Sequence, residues 1–155
     1  MAAKITAGKK QAFEEELRYL KNEGRQDAVK KIQEARAFGD LSENYEYKIA
    51  REEQGKLESR IVELEGILAS CEIYEPKKGS KEVALGSIVT VEDIDTEKRS
   101  VFEIVGVYES DPNTTPKKIS DESPIGKVLM GHEKDDEVDF VHKGKTVTYC
   151  IVDIK

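Results

Sequence analysis

Hydrophobic and polar positions follow two different periods along this chain, and the change falls near its middle. Between Ala7 and Ala37, apolar or small residues recur at Phe13, Leu17, Leu20, Gly24, Ala28, Ile32 and Ala35, in steps of three or four. Such steps line one face of an α-helix, and no proline interrupts the stretch. Thr6 stands at the N-cap position, where a hydroxyl accepts a free backbone N–H. Gly24 is the weak point, costing about 1 kcal/mol relative to alanine in an exposed helix interior. A second series, Tyr47, Ala50, Gln54, Leu57, Ile61, Leu64, Leu68 and Cys71, alternates steps of three and four without a slip. This is a heptad seam with Gln54 as its polar member, and charged residues fill most positions between. A helix from Glu43 to Ile73 would be about 46 Å long at ~1.5 Å per residue. One seam cannot bury itself, and the connection from Phe38 to Ser42 is short, so the two helices are expected to be antiparallel neighbours. The prediction is an antiparallel coiled-coil hairpin turning at Gly39-Asp40-Leu41.

At Glu75-Pro76-Lys77-Lys78-Gly79-Ser80 proline and glycine stop the helix. Beyond it the period becomes two. Ser87–Val91, Ser100–Val105, Glu137–Val141 and Thr146–Val152 read as strands. Lys143-Gly144 is a tight-turn candidate between the last two. Ser123-Pro124 opens a short helix through Met130, with serine as N-cap and proline at the first position. Gly86 and Gly106 punctuate strands and read as turns or bulges. The fold class is therefore α+β. Residues 1–76 form the hairpin with its tip near 38–44, residues 77–82 a linker, and residues 83–155 a small domain with a mostly antiparallel sheet.

Composition narrows the function classes. Of 155 residues, 37% are charged and 37% hydrophobic, which suits a thin, solvated helical element that buries only a seam. The net charge of −7 is the wrong sign for a general nucleic-acid coat or a membrane-surface protein, so any nucleic-acid contact must be local or shared with a basic partner. Cys71 and Cys150 are the only cysteines, too few for a zinc framework or a disulfide scaffold, and read as reduced thiols. No apolar leader opens the chain and no run approaches membrane-spanning length, so a cytoplasmic protein is expected. His132 and His142 have no ligand-like spacing. No nucleophile elbow, phosphate-binding glycine loop or dinucleotide fingerprint occurs.

The candidate chemistry lies at the turn. Asp40 and Glu43 are three residues apart at the start of the second helix, a spacing that can bring two carboxylates toward one point. Mg²⁺ takes such hard oxygen ligands and keeps waters. Two carboxylates are a weak site alone, but they can complete a site half-built by another protein. Spacing by itself favours a plainer role: aspartate at an N-cap with glutamate three residues on is a variant of the capping box. Arg36, Lys48 and Arg51 lie within about two or three turns of the acids. Charges on a coiled-coil exterior usually form a solvated face. A negative tip flanked by positive charge nevertheless suits a ligand that combines a metal with a phosphate backbone.

The run Glu34-Ala35-Arg36-Ala37-Phe38-Gly39-Asp40-Leu41-Ser42-Glu43-Asn44-Tyr45-Glu46-Tyr47, continuing through Ala50-Arg51-Glu52-Glu53-Gln54 to Arg60-Ile61, resembles the signature of the GreA/GreB family of transcript cleavage factors. Ile5-Thr6-Ala7-Gly8, Glu15-Glu16-Leu17, Ser123-Pro124-Ile125-Gly126, Leu129-Met130-Gly131 and Asp135-Asp136-Glu137-Val138 extend the likeness over nearly the whole chain. The modest basic content near the tip is closer to GreA than to GreB. The resemblance implies an FKBP-like fold for the C-terminal domain, which docks at the secondary channel of bacterial RNA polymerase. It implies that the hairpin carries Asp40 and Glu43 to the active centre, where they help hold a shared Mg²⁺ and its attacking water. Arg36, Lys48 and Arg51 are then the patch for the 3′ end of backtracked nascent RNA, with Gly39, Leu41, Ser42, Asn44 and Tyr47 supporting the tip. The chain is expected to be a monomer when free and a stimulator of the polymerase's cleavage activity, not itself an enzyme. A proline common midway along the family's first helix is absent, with Gly24-Arg25-Gln26 in that region, which leaves the straightness of that helix open. The alternative is a family member that occupies the channel and inhibits without cleavage. A prolyl isomerase is disfavoured by the few aromatics beyond residue 80.

Overall fold

The computed structural model describes residues 3–39 and 44–155. A two-residue strand, β1 (Lys4–Ile5), leads into α1 (Ala7–Tyr19). Between them, the Thr6 hydroxyl accepts the Lys9 N–H at 3.2 Å, the capping role expected of it. The first helix does not run unbroken to Ala37. Leu20–Gly24 forms a π turn, and α2 (Arg25–Arg36) follows. Asn22 and Gly24 are poor helix formers, so the wider turn falls where regular α-helix is least favoured. The predicted face is inward: Phe13, Ile32 and Ala35 are buried, and Leu17, Leu20, Gly24 and Ala28 are half-buried.

The second helix, α3 (Tyr45–Ser70), ends before the expected Ile73, while Glu43, its expected first residue, lies outside the described residues. Its 26 residues span about 39 Å at ~1.5 Å each. Ala50, Ile61 and Leu64 of the seam are buried, but near the C-terminal end Ile67 is buried in place of Leu68. A helix of 3.6 residues per turn drifts against a strict seven-residue repeat, which moves the inward position by one. The arms run antiparallel: Lys21 pairs with Glu65, Arg25 with Glu58 and Lys31 with Glu53, the partner number falling as the first rises. Arg25 and Arg60 each grip a carboxylate with two bonds of 2.9 and 3.0 Å, Arg60 on Glu16. Exposed pairs contribute about 0–1 kcal/mol each, so they select register while the seam supplies the stability.

Helix α3 ends because residues 72 and 73 are taken elsewhere. They form β2 (Glu72–Ile73), parallel to β1, with Glu72 N–H on Ala3 C=O and Tyr74 N–H on Ile5 C=O. The chain accordingly divides into a helical unit, Lys10–Cys71, and a second unit, Met1–Lys9 with Glu72–Lys155. The expected division at 1–76, 77–82 and 83–155 did not foresee that the N-terminal strand joins the second unit.

That unit holds a sheet of five strands: β3 (Ile88–Asp93), β4 (Arg99–Val105), β5 (Lys117–Ser120), β6 (Glu137–His142) and β7 (Lys145–Ile154). Their order is β5-β4-β3-β7-β6, and only β4 and β5 run parallel. With α4 (Pro124–Leu129), capped by the Ser123 hydroxyl on Gly126 N–H, this is the mostly antiparallel sheet and short helix expected. Strand β5 escaped the periodicity because Lys117 and Lys118 carry no apolar alternation. It is an edge strand, where lysines discourage further pairing. The core gathers Val89, Val91, Phe102, Ile104, Leu129 and Ile151. Lys143 and Gly144 both have positive φ, as a tight hairpin turn needs. Gly106 is neither turn nor bulge by necessity: a Cβ there would lie 2.0 Å from the Lys4 carbonyl oxygen, so glycine lets β1 approach. Glu109 closes the same corner, accepting from the Tyr74 hydroxyl at 2.5 Å and from the Thr6 hydroxyl.

Candidate functional site

The end of the hairpin is built by two helix termini. Helix α2 closes with tightened turns, Ala37, Phe38 and Gly39 N–H donating to the carbonyls of Glu34, Ala35 and Arg36 at 3.2, 3.2 and 3.4 Å. Gly39 then takes φ +120°, a conformation that side chains resist, which explains glycine at this tip position. Asp40, Leu41, Ser42 and Glu43 lie outside the described residues. The chain re-enters at Asn44, the N-cap of α3.

Asn44 is the joint between the arms. Its Oδ1 accepts the Tyr47 N–H at 3.0 Å, and its Nδ2 donates to the Ala35 carbonyl at 2.5 Å. One amide therefore satisfies an orphan donor of α3 and an end carbonyl of α2. The sequence offered Asp40 for a cap, and the cap the structure shows on α3 is Asn44. What Asp40 and Glu43 do in the tip falls outside the described residues. Both acids precede the cap in sequence.

The predicted basic residues are all exposed. The Arg36 guanidinium lies over the Tyr47 ring, 5.7 Å from its centroid, a cation–π contact that orients a charge otherwise free to swing. Arg51 donates to Gln54 Oε1 at 3.0 Å. Gln54 therefore has a second role beside being the polar member of the seam: it holds Arg51. Tyr47, Arg51 and Gln54 share one side of α3 by their three- and four-residue spacing, and Arg36 joins them from α2. Lys48 is further round the helix and meets none of the others through its side chain.

Across the seam the chemistry differs. Phe38, Ala35, Ile49 and Ala50 floor a groove of about 230 Å³, rimmed by Lys31, Glu34, Glu46 and Glu53. Phe38 is 77% exposed. Sequence reading passed over this groove because Phe38 and Ile49 fall off the heptad seam, and off-seam apolar residues carry no signal until two helices are aligned. Among the described residues no group of three or more His, Cys, Asp or Glu is placed to hold a metal ion. No helix among them is long and apolar enough to cross a membrane.

Two family models cover the chain: the N-terminal domain of transcription elongation factors matches residues 3–73, and the GreA/GreB C-terminal domain matches residues 77–155. Transcription elongation factor GreA of Bacillus subtilis is 42% identical over 150 residues, covering 97% of this chain and 94% of its own. GreA of Halalkalibacterium halodurans is 41% identical over 152 residues, with 97% and 95% covered. Among solved structures, GreA factor homolog 1 of Thermus thermophilus aligns over 100% of this chain and 99% of its own, at 32% identity and a TM-score of 0.44.

Proposed function

Because the chain belongs to the GreA/GreB family of transcription elongation factors, we propose that it enters the secondary channel of bacterial RNA polymerase and stimulates cleavage of backtracked nascent RNA. The observation that carries this reading is the match of two family models to residues 3–73 and 77–155, with Asp40 and Glu43 standing just before the Asn44 cap in the sequence. Two carboxylates are hard oxygen donors that suit Mg²⁺, yet they are too few to enclose it, which fits a site completed by the polymerase. When bound, the ion polarises the attacking water and stabilises the leaving oxygen.

The chain's own residues divide the remaining work. Asp40 and Glu43 supply ligands and a local negative field. Arg36 and Arg51, each oriented by a neighbour, offer planar donors to the phosphates of the extruded RNA 3′ end, and Lys48 adds a point charge. The domain beyond residue 83 docks at the channel rim. The polymerase remains the enzyme.

Labelled RNA in a stalled, backtracked elongation complex tests this. The wild-type chain should release short 3′ fragments. Asp40→Ala and Glu43→Ala should fold and bind polymerase, but cleave at least ~10-fold more slowly, about 1.4 kcal/mol of transition-state stabilisation. Wild-type rates from both variants would refute the role of the acids. Wild-type binding without any cleavage would make the chain a channel-occupying inhibitor.

A further inference from the structure

The hairpin end has two chemically different sides, and the proposed function uses only one. On the side carrying Arg36, Tyr47 and Arg51 the surface is basic. On the other, helical spacing aligns Lys31, Glu34, Ala35 and Phe38 of α2 with Glu46, Ile49, Ala50 and Glu53 of α3. The groove between them is apolar at its floor and acidic at its rim. Its single ammonium, on Lys31, pairs with Glu53 at 3.5 Å. Glu34 and Glu46 have no ion-pair partner among the described residues, which leaves two carboxylates in excess.

The apolar part is large for a surface. Within the groove Phe38 is 77% exposed and Ile49 36% exposed, and Tyr45, one turn before Ile49 but outside the groove's lining, is 72% exposed. Two aromatics at the end of a thin hairpin cannot be covered by its own seam. Large exposed apolar residues rimmed by charge mark interaction surfaces. Nucleic acid is the wrong occupant, because three carboxylates repel phosphate. The complementary occupant carries positive charge on an apolar stem.

We infer that this groove is a protein-docking surface for a segment of the polymerase bearing a lysine or arginine, whose aliphatic stem lies on Phe38 and Ile49 and whose charge meets Glu34 and Glu46. This rests on the polymerase reading above and deepens it: one side of the hairpin binds RNA, and the other binds protein. Docking on one side fixes the rotation of the hairpin about its long axis, so the basic side faces the RNA.

Competition against a fluorescently labelled wild-type chain, for polymerase core enzyme without nucleic acid, tests it. The variants are Phe38→Ser and the double reversal Glu34→Lys with Glu46→Lys, all at exposed positions, with helix content checked by circular dichroism. Glu14→Lys, an exposed reversal in α1, controls for overall charge. Phe38→Ser should weaken binding about fivefold and the double reversal at least about tenfold, the latter effect shrinking as salt rises. Equal binding by all chains, or an equal loss with Glu14→Lys, overturns the proposal. So does concentration-dependent dimerisation of the wild type that Phe38→Ser abolishes, because a second copy would then be the occupant. Absence of wild-type binding would instead bring down the polymerase reading and the docking surface together.

Discussion

Replacing Asn44 separates two jobs that one side chain performs. Its Oδ1 caps α3 through the Tyr47 N–H, and its Nδ2 ties α3 to α2 through the Ala35 carbonyl. Serine keeps a cap oxygen but is too short to span the arms. Asn44→Ser should therefore lose only the arm-to-arm bond, about 1 kcal/mol. Alanine loses the cap as well, adding about 1 kcal/mol, for about 2 in all. Aspartate keeps the cap and gains about 0.3–1 kcal/mol from the helix dipole. It also turns a donor into an acceptor facing the Ala35 oxygen, so Asn44→Asp should fall between serine and alanine. At ~2–4 °C per kcal/mol, thermal unfolding followed by helical circular dichroism resolves the series. Cleavage should fall further than stability does. The bond to Ala35 joins the two arms at the end where Asp40 and Glu43 fall in the sequence, and, for the role proposed for them, an ångström of misplacement can cost about 10²-fold in rate. If Asn44→Ser matched wild type in both melting temperature and cleavage, the joint would be dispensable and the account of the tip wrong.

Other perturbations follow from particular contacts. Tyr47→Leu removes the ring beneath Arg36, worth about 0.5–1 kcal/mol, so cleavage should slow about two- to fivefold, whereas Tyr47→Phe keeps the wild-type rate. Gly106→Ala forces a Cβ to 2.0 Å from the Lys4 carbonyl and should destabilise the second unit by more than about 2 kcal/mol in denaturant unfolding. Gly66→Ala, where a Cβ meets nothing within 4 Å, should instead stabilise α3 by about 1 kcal/mol. Arg25 beside Glu58, and the Glu133 N–H with His132 beside Asp136, hold those two carboxyls below their ordinary values. A depressed carboxylate stabilises the fold above its unfolded value of about 4 and loses that contribution as pH falls through the folded value. NMR titration should therefore find both groups still ionised where the unfolded chain's carboxylates have begun to protonate, and ordinary titration would contradict the pairing.

The elements that the sequence revealed are those whose partner has the same period. The first arm's inward face from Phe13 to Ala35, the seam from Ala50 to Leu64 and the alternating strands β3, β4, β6 and β7 each repeat a local rule often enough to be read without a neighbour. Thr6 and Ser123 were legible as caps, because capping involves only the next three residues. The resemblance around Gly39-Asp40-Leu41-Ser42-Glu43-Asn44 carried the family, and two domain matches agree with it.

What the sequence by itself determined, then, was the α+β class, the antiparallel pairing of the arms, and the residue types assembled near the turn. Only the tertiary structure decided the contacts between residues distant along the chain. It moved Glu72 and Ile73 from helix to strand, because Lys4 and Ile5 offer parallel partners that no local window contains. It gave the α3 cap to Asn44 and carried the same amide across to the Ala35 carbonyl on the other arm, a contact that capping rules along one helix do not contain. It set Arg36 on Tyr47 and left Phe38 and Ile49 together on the opposite side, since facing positions of two antiparallel helices are fixed by their relative register. Periodicity records which way each helix faces; only packing records what it meets there.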